Sequence, residues 1–206
     1  MGKPRPVAVL YADPRGPYPS IEGVDVWDEE RDARFYEGPH PVVAHPPCGP
    51  WGHMLRFCGP RLLAQKPLAT LAIAQVRRWG GVLEHPVGSG LWRAPVNLPR
   101  PTTADQLDLV QVVDEHGGFS VRLNQVAWGH ACLKPTLLYC VGVPYRKVVR
   151  GLRRGGSPTH AVAKSTSRAA NPCDRLLAAS AEIRRRTPLD FAGWLVDLAR
   201  SAEVAG

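Results

Sequence analysis

Apolar and β-branched residues fall along this chain in short runs separated by proline- and glycine-rich turns, a pattern that predicts strands joined by few helices. Val7 to Ala12 is an uninterrupted apolar run, the mark of a strand covered on both faces. It stops at Asp13-Pro14-Arg15-Gly16-Pro17-Tyr18-Pro19, where the closely spaced prolines exclude a helix. Val24 to Asp28 and Val42 to Ala44 read as the next two strands. Between Leu62 and Trp79, Leu68, Leu71, Ala72, Ile73 and Val76 recur at helical spacing, so an amphipathic helix is expected from at or just before Pro67 to the stop at Gly80-Gly81. Val82-Leu83 returns as a strand and delivers Glu84 at its carboxyl end. Phe119 to Val126 alternates like a strand with one wet face, and Thr136 to Val143 is strongly apolar. These two are expected as antiparallel neighbours. Thr187-Pro188 resembles a helix start, with Thr187 as cap, ahead of Phe191, Trp194, Leu195 and Leu198 at core-facing spacing.

The fold class that follows is α/β: a single open, mostly parallel, Rossmann-like sheet flanked by helices, with antiparallel strands at one end, a basic C-terminal segment and a terminal helix. Residues 1–145 are expected as the α/β domain, 146–186 as a basic, loop-rich segment, and 187–206 as a C-terminal helix packing on that domain. Missing between the first two strands is the Gly-rich turn and long helix usual in nucleotide-binding sheets. A cofactor at that edge would draw on Asp13, Arg15, Asp25 and Asp28; the acids among them serve equally well as turn formers and solvated charges.

Composition sharpens this picture in three places. No apolar run approaches the length of a membrane span, and the N-terminal residues lack a signal-peptide core, so a protein with no membrane association is expected. The 5 cysteines are odd in number and irregularly spaced, which argues against a disulfide framework and for a reducing, cytoplasmic compartment. The net charge of +8 is not spread evenly: residues 146–186 hold 11 Lys or Arg against 2 acids, and the remainder is close to neutral. That excess suits a polyanion such as DNA, with Arg146, Lys147, Arg150, Arg153, Arg154, Lys164 and Arg168 as phosphate contacts; its plain alternative is a solvated, flexible stretch.

The candidate chemistry lies in Val42-Val43-Ala44-His45-Pro46-Pro47-Cys48 and Val82-Leu83-Glu84-His85-Pro86-Val87. Two short strands joined by one helix bring Cys48 and Glu84 to the same edge of a parallel sheet. A thiolate adds to C6 of a pyrimidine, and a carboxylic acid at N3 draws off the developing charge, leaving C5 nucleophilic toward an electrophile. Pro46 and Pro47 stiffen the loop that holds the sulfur. A buried, inert thiol at a strand end is the competing reading.

Together these motifs resemble the DNA cytosine-5 methyltransferase family, in the compact, divergent form encoded by phages and prophages. His45-Pro46-Pro47-Cys48 is similar to the family's Pro-Pro-Cys nucleophile loop. Glu84-His85-Pro86-Val87 is similar to its Glu-Asn-Val motif with His85 in place of Asn, and the spacing of 36 residues is of the family's kind. Asn124-Gln125-Val126-Ala127-Trp128-Gly129 resembles its Asn-Ala-x-x-Tyr-Gly segment, Lys134 stands where the central Arg of a Gln-x-Arg-x-Arg motif would be, and Arg185-Arg186-Thr187-Pro188 resembles a late Arg-x-x-Thr-Pro element. The resemblance implies that Cys48 is the C6 nucleophile, Glu84 the N3 acid and Lys134 a base-orienting or charge-stabilising group. It implies S-adenosylmethionine as donor, yet the family's Phe-x-Gly-x-Gly entry to that site has no counterpart. His45 and His85 are expected to handle protons around the pair, Pro47 and Trp51 to line the base, and Asn124 and Trp128 to shape the pocket, with a core role equally open for Trp128.

Three other readings stay open. A metal site would use His45, Cys48, His53 and Cys58, with His130 and Cys132; the paired ligand modules of zinc sites are absent, and no metal is expected. A non-catalytic DNA-binding protein would use the basic segment for phosphates and Trp51 or Trp92 for stacking. A C5 transferase of the same chemistry would instead take another donor, or a free pyrimidine nucleotide.

Overall fold

The computed structural model describes residues 2–52, 59–99, 112–161 and 177–203. In chain order its elements are β1 (Val7–Leu10), β2 (Val24–Trp27), β3 (Val42–Ala44), α1 (Pro60–Leu63), α2 (Lys66–Trp79), β4 (Gly81–Pro86), β5 (Phe119–Asn124), β6 (Pro135–Val141), α3 (Tyr145–Gly151), β7 (His160–Ala161), β8 (Leu177–Ala178), α4 (Ala181–Arg185) and α5 (Leu189–Arg200). Six strands form a mixed sheet in the order β2-β1-β3-β4-β6-β5. β2, β1, β3 and β4 are parallel; β6 runs antiparallel to β4 and to β5. The order reverses between β1 and β3, and a crevice outside the carboxyl ends at such a point is where open α/β sheets receive ligands.

Alternation along the strands divides the core in two. Val7, Val9, Val43, Val82, Leu138 and Cys140 face α5, whereas Ala8, Leu10, Val42, Ala44, Leu83 and Tyr139 face α2. α2 buries Ala69, Ala72, Ile73 and Val76 along one stripe, and Pro67 sits in its first turn, where no donor is lost. The next strand can start close against β3 only because Gly81 has no side chain: its φ is +119°, and a Cβ there would lie 2.0 Å from the Val42 carbonyl oxygen.

α5 begins later than its sequence suggests. Pro188 has extended backbone (ψ 143°) and precedes the first turn, accepting the Ala192 N–H through its carbonyl, so Thr187 is not the cap. The helix buries Phe191, Leu195, Val196 and Leu198, on the order of 6–12 kcal/mol of apolar burial as an upper bound. Phe191, Leu195 and Leu198 are fully buried in one of the two core clusters, so α5 is part of the core. The basic segment also differs from a simple loop. α3 occupies its start, buries Val148 and sets the Tyr145 ring 5.1 Å from Phe119, an apolar anchor outweighed in the sequence by the surrounding Arg and Lys. No helix among the described residues is long and apolar enough to cross a membrane.

Candidate active site

The site grows out of the register. His45 continues β3 on the face of Val43, and Glu84 lies on the same face of β4 as Val82, so both side chains emerge on the α5 side at the carboxyl edge. His45 Nδ1 lies 3.0 Å from Glu84 Oε2. On its far side Nε2 meets the buried Tyr18 hydroxyl at 2.5 Å. The antiparallel hairpin supplies the other half: Gln125 Nε2 donates to Glu84 Oε1 at 2.9 Å and to Thr136 Oγ1 at 3.0 Å, and Thr136 Oγ1 is 3.3 Å from the same carboxylate oxygen. Burial by itself would raise the Glu84 carboxyl. The His45 hydrogen bond and the Lys134 charge outweigh it and hold the group well below the ordinary range, so Glu84 rests as a carboxylate.

Cys48 follows the two prolines, just before a turn of 3₁₀ helix at Gly49–Trp51, and is exposed. The protein packed around it, and then the Glu84 carboxylate, push its thiol up; the Lys134 and Arg185 charges draw it partly back. The resting pair is therefore a thiol beside a carboxylate, within electrostatic reach of one another.

No protein-family model matches this sequence, and no curated protein does.

The remaining expected residues divide clearly. Lys134 belongs to the site: its charge acts on both Cys48 and Glu84, and its Nζ donates to the Arg186 carbonyl at 3.3 Å. Pro47 carries the loop, and Trp51 is tied to the start of α2, donating to the Lys66 carbonyl at 3.1 Å. Asn124 does not face the edge as a free group; its Oδ1 accepts from Val126 N and Lys134 N and so ties the end of β5 to the hairpin. Trp128 is core, stacked on Trp194 at 4.9 Å and edge-on to Phe191 at 5.3 Å.

His85 falls on the opposite face from Glu84, as period-two alternation requires, edge-on to Trp92 at 6.3 Å. It is 0% exposed, and burial lowers it to about 4 against the opposing pull of the Glu84 charge and the Pro47 backbone. The unfolded chain takes up this proton near pH 6.5 and the folded one refuses it. Stability is therefore full above that pH and lost as pH falls toward 4. Between about pH 7 and about pH 5 the wild-type protein should lose about 2 kcal/mol more than His85→Asn in urea unfolding, and equal losses would contradict the assignment.

The four expected cofactor residues make local contacts. Arg15 closes on Asp13 at 2.9 Å, Asp25 accepts from Trp27 Nε1 and pairs with Arg31, and Asp28 accepts from Arg31 N. Two surface hollows, around Asp114 and around Arg77, open elsewhere and contain none of the groups above. No three His, Cys, Asp or Glu side chains converge as metal ligands among the described residues, and His53 and Cys58 lie outside them.

Of the expected phosphate contacts, α3 places Arg146, Lys147 and Arg150 on a helix whose start packs against the beginning of β5, away from the carboxyl edge, and Lys147 donates to the Asp197 carbonyl at 2.7 Å. Arg153 pairs with Asp190 at 2.8 Å, Arg154 is exposed, and Lys164 and Arg168 lie outside the described residues. Besides Lys134, the basic residue the structure brings to Cys48 is Arg185, flanked by the exposed Arg184 and Arg186. The Arg184-Arg185-Arg186 run was its signal in the sequence. Thr136 was signalled by a hydroxyl on an otherwise apolar strand, and Gln125 by its place beside Asn124. Tyr18, in a proline-rich turn, had none.

Proposed function

We propose that this protein is a C5 transferase acting on cytosine in DNA through Cys48, similar to the cytosine-5 methyltransferases. The single observation that carries the proposal is the exposed Cys48 thiol within electrostatic reach of a carboxylate held ionised by the His45 hydrogen bond and the Lys134 charge, at the carboxyl ends of adjacent parallel strands. The strand order β2-β1-β3-β4, with its reversal beside the site, supports reading the parallel half of the sheet as Rossmann-like. Lys134 and the arginines of α4 offer charge for the phosphates flanking a base taken out of its stack.

The resting protonation states suggest how the proton moves. The Cys48 sulfur bonds to C6 as its proton passes to the Glu84 carboxylate, and the acid so formed donates that proton to N3. Electron density released at C5 attacks an electrophilic carbon, whose leaving group departs with the bonding pair. Loss of the C5 proton to water and cleavage of the sulfur–C6 bond return the base to aromaticity, and the N3 proton goes back to the sulfur through Glu84. Glu84 is thus a shuttle that begins empty. S-adenosylmethionine is the donor suggested by resemblance, and the group transferred is left for measurement.

A donor-independent test follows from the activated C5. In D₂O the enzyme should exchange the C5 hydrogen of cytosine in an oligonucleotide for deuterium, faster than in deoxycytidine monophosphate. Nucleoside mass spectrometry of DNA from expressing cells should show a modified cytosine whose added mass names the group. Absence of both exchange and modified base would refute the proposal, and exchange confined to the free nucleotide would move the substrate from polymer to monomer.

A further inference from the structure

We infer that Tyr18 and His45 are positioning residues that set the ionisation of Glu84, forming a Tyr–His–Glu relay within the proposed active site. The inference rests on the function proposed above and deepens it. Its basis is a linear chain of contacts: Tyr18 Oη to His45 Nε2 at 2.5 Å, and His45 Nδ1 to Glu84 Oε2 at 3.0 Å.

The direction of each hydrogen bond follows from chemistry. An ionised carboxylate only accepts, so Nδ1 of His45 carries the hydrogen that faces Glu84. Tyr18 is 2% exposed, and burial together with the Glu84 charge pushes its phenol up, so it keeps its proton and donates it to Nε2. The phenol thereby selects one imidazole tautomer. This is the logic of a base oriented by a third group, with the members running Tyr, His, Glu. No proton needs to leave Tyr18 or His45 during turnover, because the one that moves travels from the Cys48 sulfur to Glu84 and on to N3.

The titratable groups around Glu84 come from every neighbouring element: His45 after β3, Tyr18 from the β1–β2 connection, Cys48, Lys134 before β6, and His85 behind the strand; Arg185 of α4 faces Cys48. Of these, His45 makes the hydrogen bond that most favours the charged form of Glu84. Without it, burial dominates and the carboxyl takes up a proton at higher pH. A protonated Glu84 has no room for the thiol's hydrogen. The acid side of the pH profile therefore reads the relay directly.

The experiment measures deuterium exchange at C5 of an oligonucleotide cytosine from about pH 5 to about pH 8, alongside oligonucleotide binding. The wild-type profile should show no fall toward acid. His45→Phe should lose about 30-fold or more near neutrality and acquire an acid limb of about tenfold per pH unit, with binding unchanged. His45→Asn, whose amide N–H can reach the same carboxylate oxygen, should recover the flat profile and most of the rate. Tyr18→Phe should fall between, at about 3- to 10-fold. A His45→Phe profile that stays flat, or a His45→Asn protein no better than His45→Phe, overturns the relay. A wild-type protein that exchanges nothing removes the proposed function and this inference with it; active wild type with indistinguishable variants removes this inference alone.

Discussion

Cys48→Ala protein is expected to fold as the wild type does and to exchange no deuterium into cytosine, a loss of at least about 10⁴-fold. Both halves of this outcome derive from where the thiol sits. Cys48 is exposed on a loop already stiffened by Pro46 and Pro47, so removing its sulfur leaves no cavity and should shift stability by no more than about 0.5 kcal/mol. Turnover has no substitute, because no other described cysteine is within reach of the chemistry: Cys132 and Cys140 are both buried. Cys48→Ser should be as inactive, since an alcohol is far less acidic than a thiol. A urea midpoint matching wild type, together with an undetectable exchange rate, is the expected pair of measurements. Exchange by Cys48→Ala at anything near the wild-type rate would end the mechanism.

Glu84→Gln should be the second most damaging change, slowing exchange by about 10²- to 10⁴-fold. The amide is nearly the same size but can neither take the thiol proton nor pass it to N3. It also disturbs the network. Both Glu84 oxygens now accept, one from His45 and the other from Gln125, whereas an amide presents a hydrogen-bond donor on one side. One of those neighbours then faces a donor with its own donor, at a cost of about 1–3 kcal/mol. Loss of activity should thus be accompanied by a moderate loss of stability and by unchanged oligonucleotide affinity. A Glu84→Gln protein that exchanges at the wild-type rate would leave the carboxylate with a structural role only.

The pairing of Cys48 with Glu84 was legible because it needs only two strand ends and the helix between them, and the local signals for all three are strong. The antiparallel hairpin was legible for the same reason: β5 and β6 are close in sequence and of opposite character. What stayed hidden depended on which face a side chain takes or on contacts between distant segments. His85 lies next to Glu84 in sequence and behind it in space, a consequence of strand alternation that a motif conceals. Tyr18 reaches His45 only after β1 and β3 are paired, and nothing in its own turn announces a polar partner. The pull of Arg185 on Cys48 likewise depends on tertiary packing, so the larger cluster of charge in 146–154 drew attention away from it.

The hydrogen bonds that fasten Glu84 span 27, 39, 41 and 52 residues of chain, from Tyr18 to His45, His45 to Glu84, Gln125 to Glu84 and Thr136 to Glu84. Contacts of such long range form late during folding, after chain entropy has been lost in closing large loops. A partly assembled chain would thus carry its sulfur without the carboxylate's retaining donors, which would confine the proposed chemistry to molecules that have finished folding.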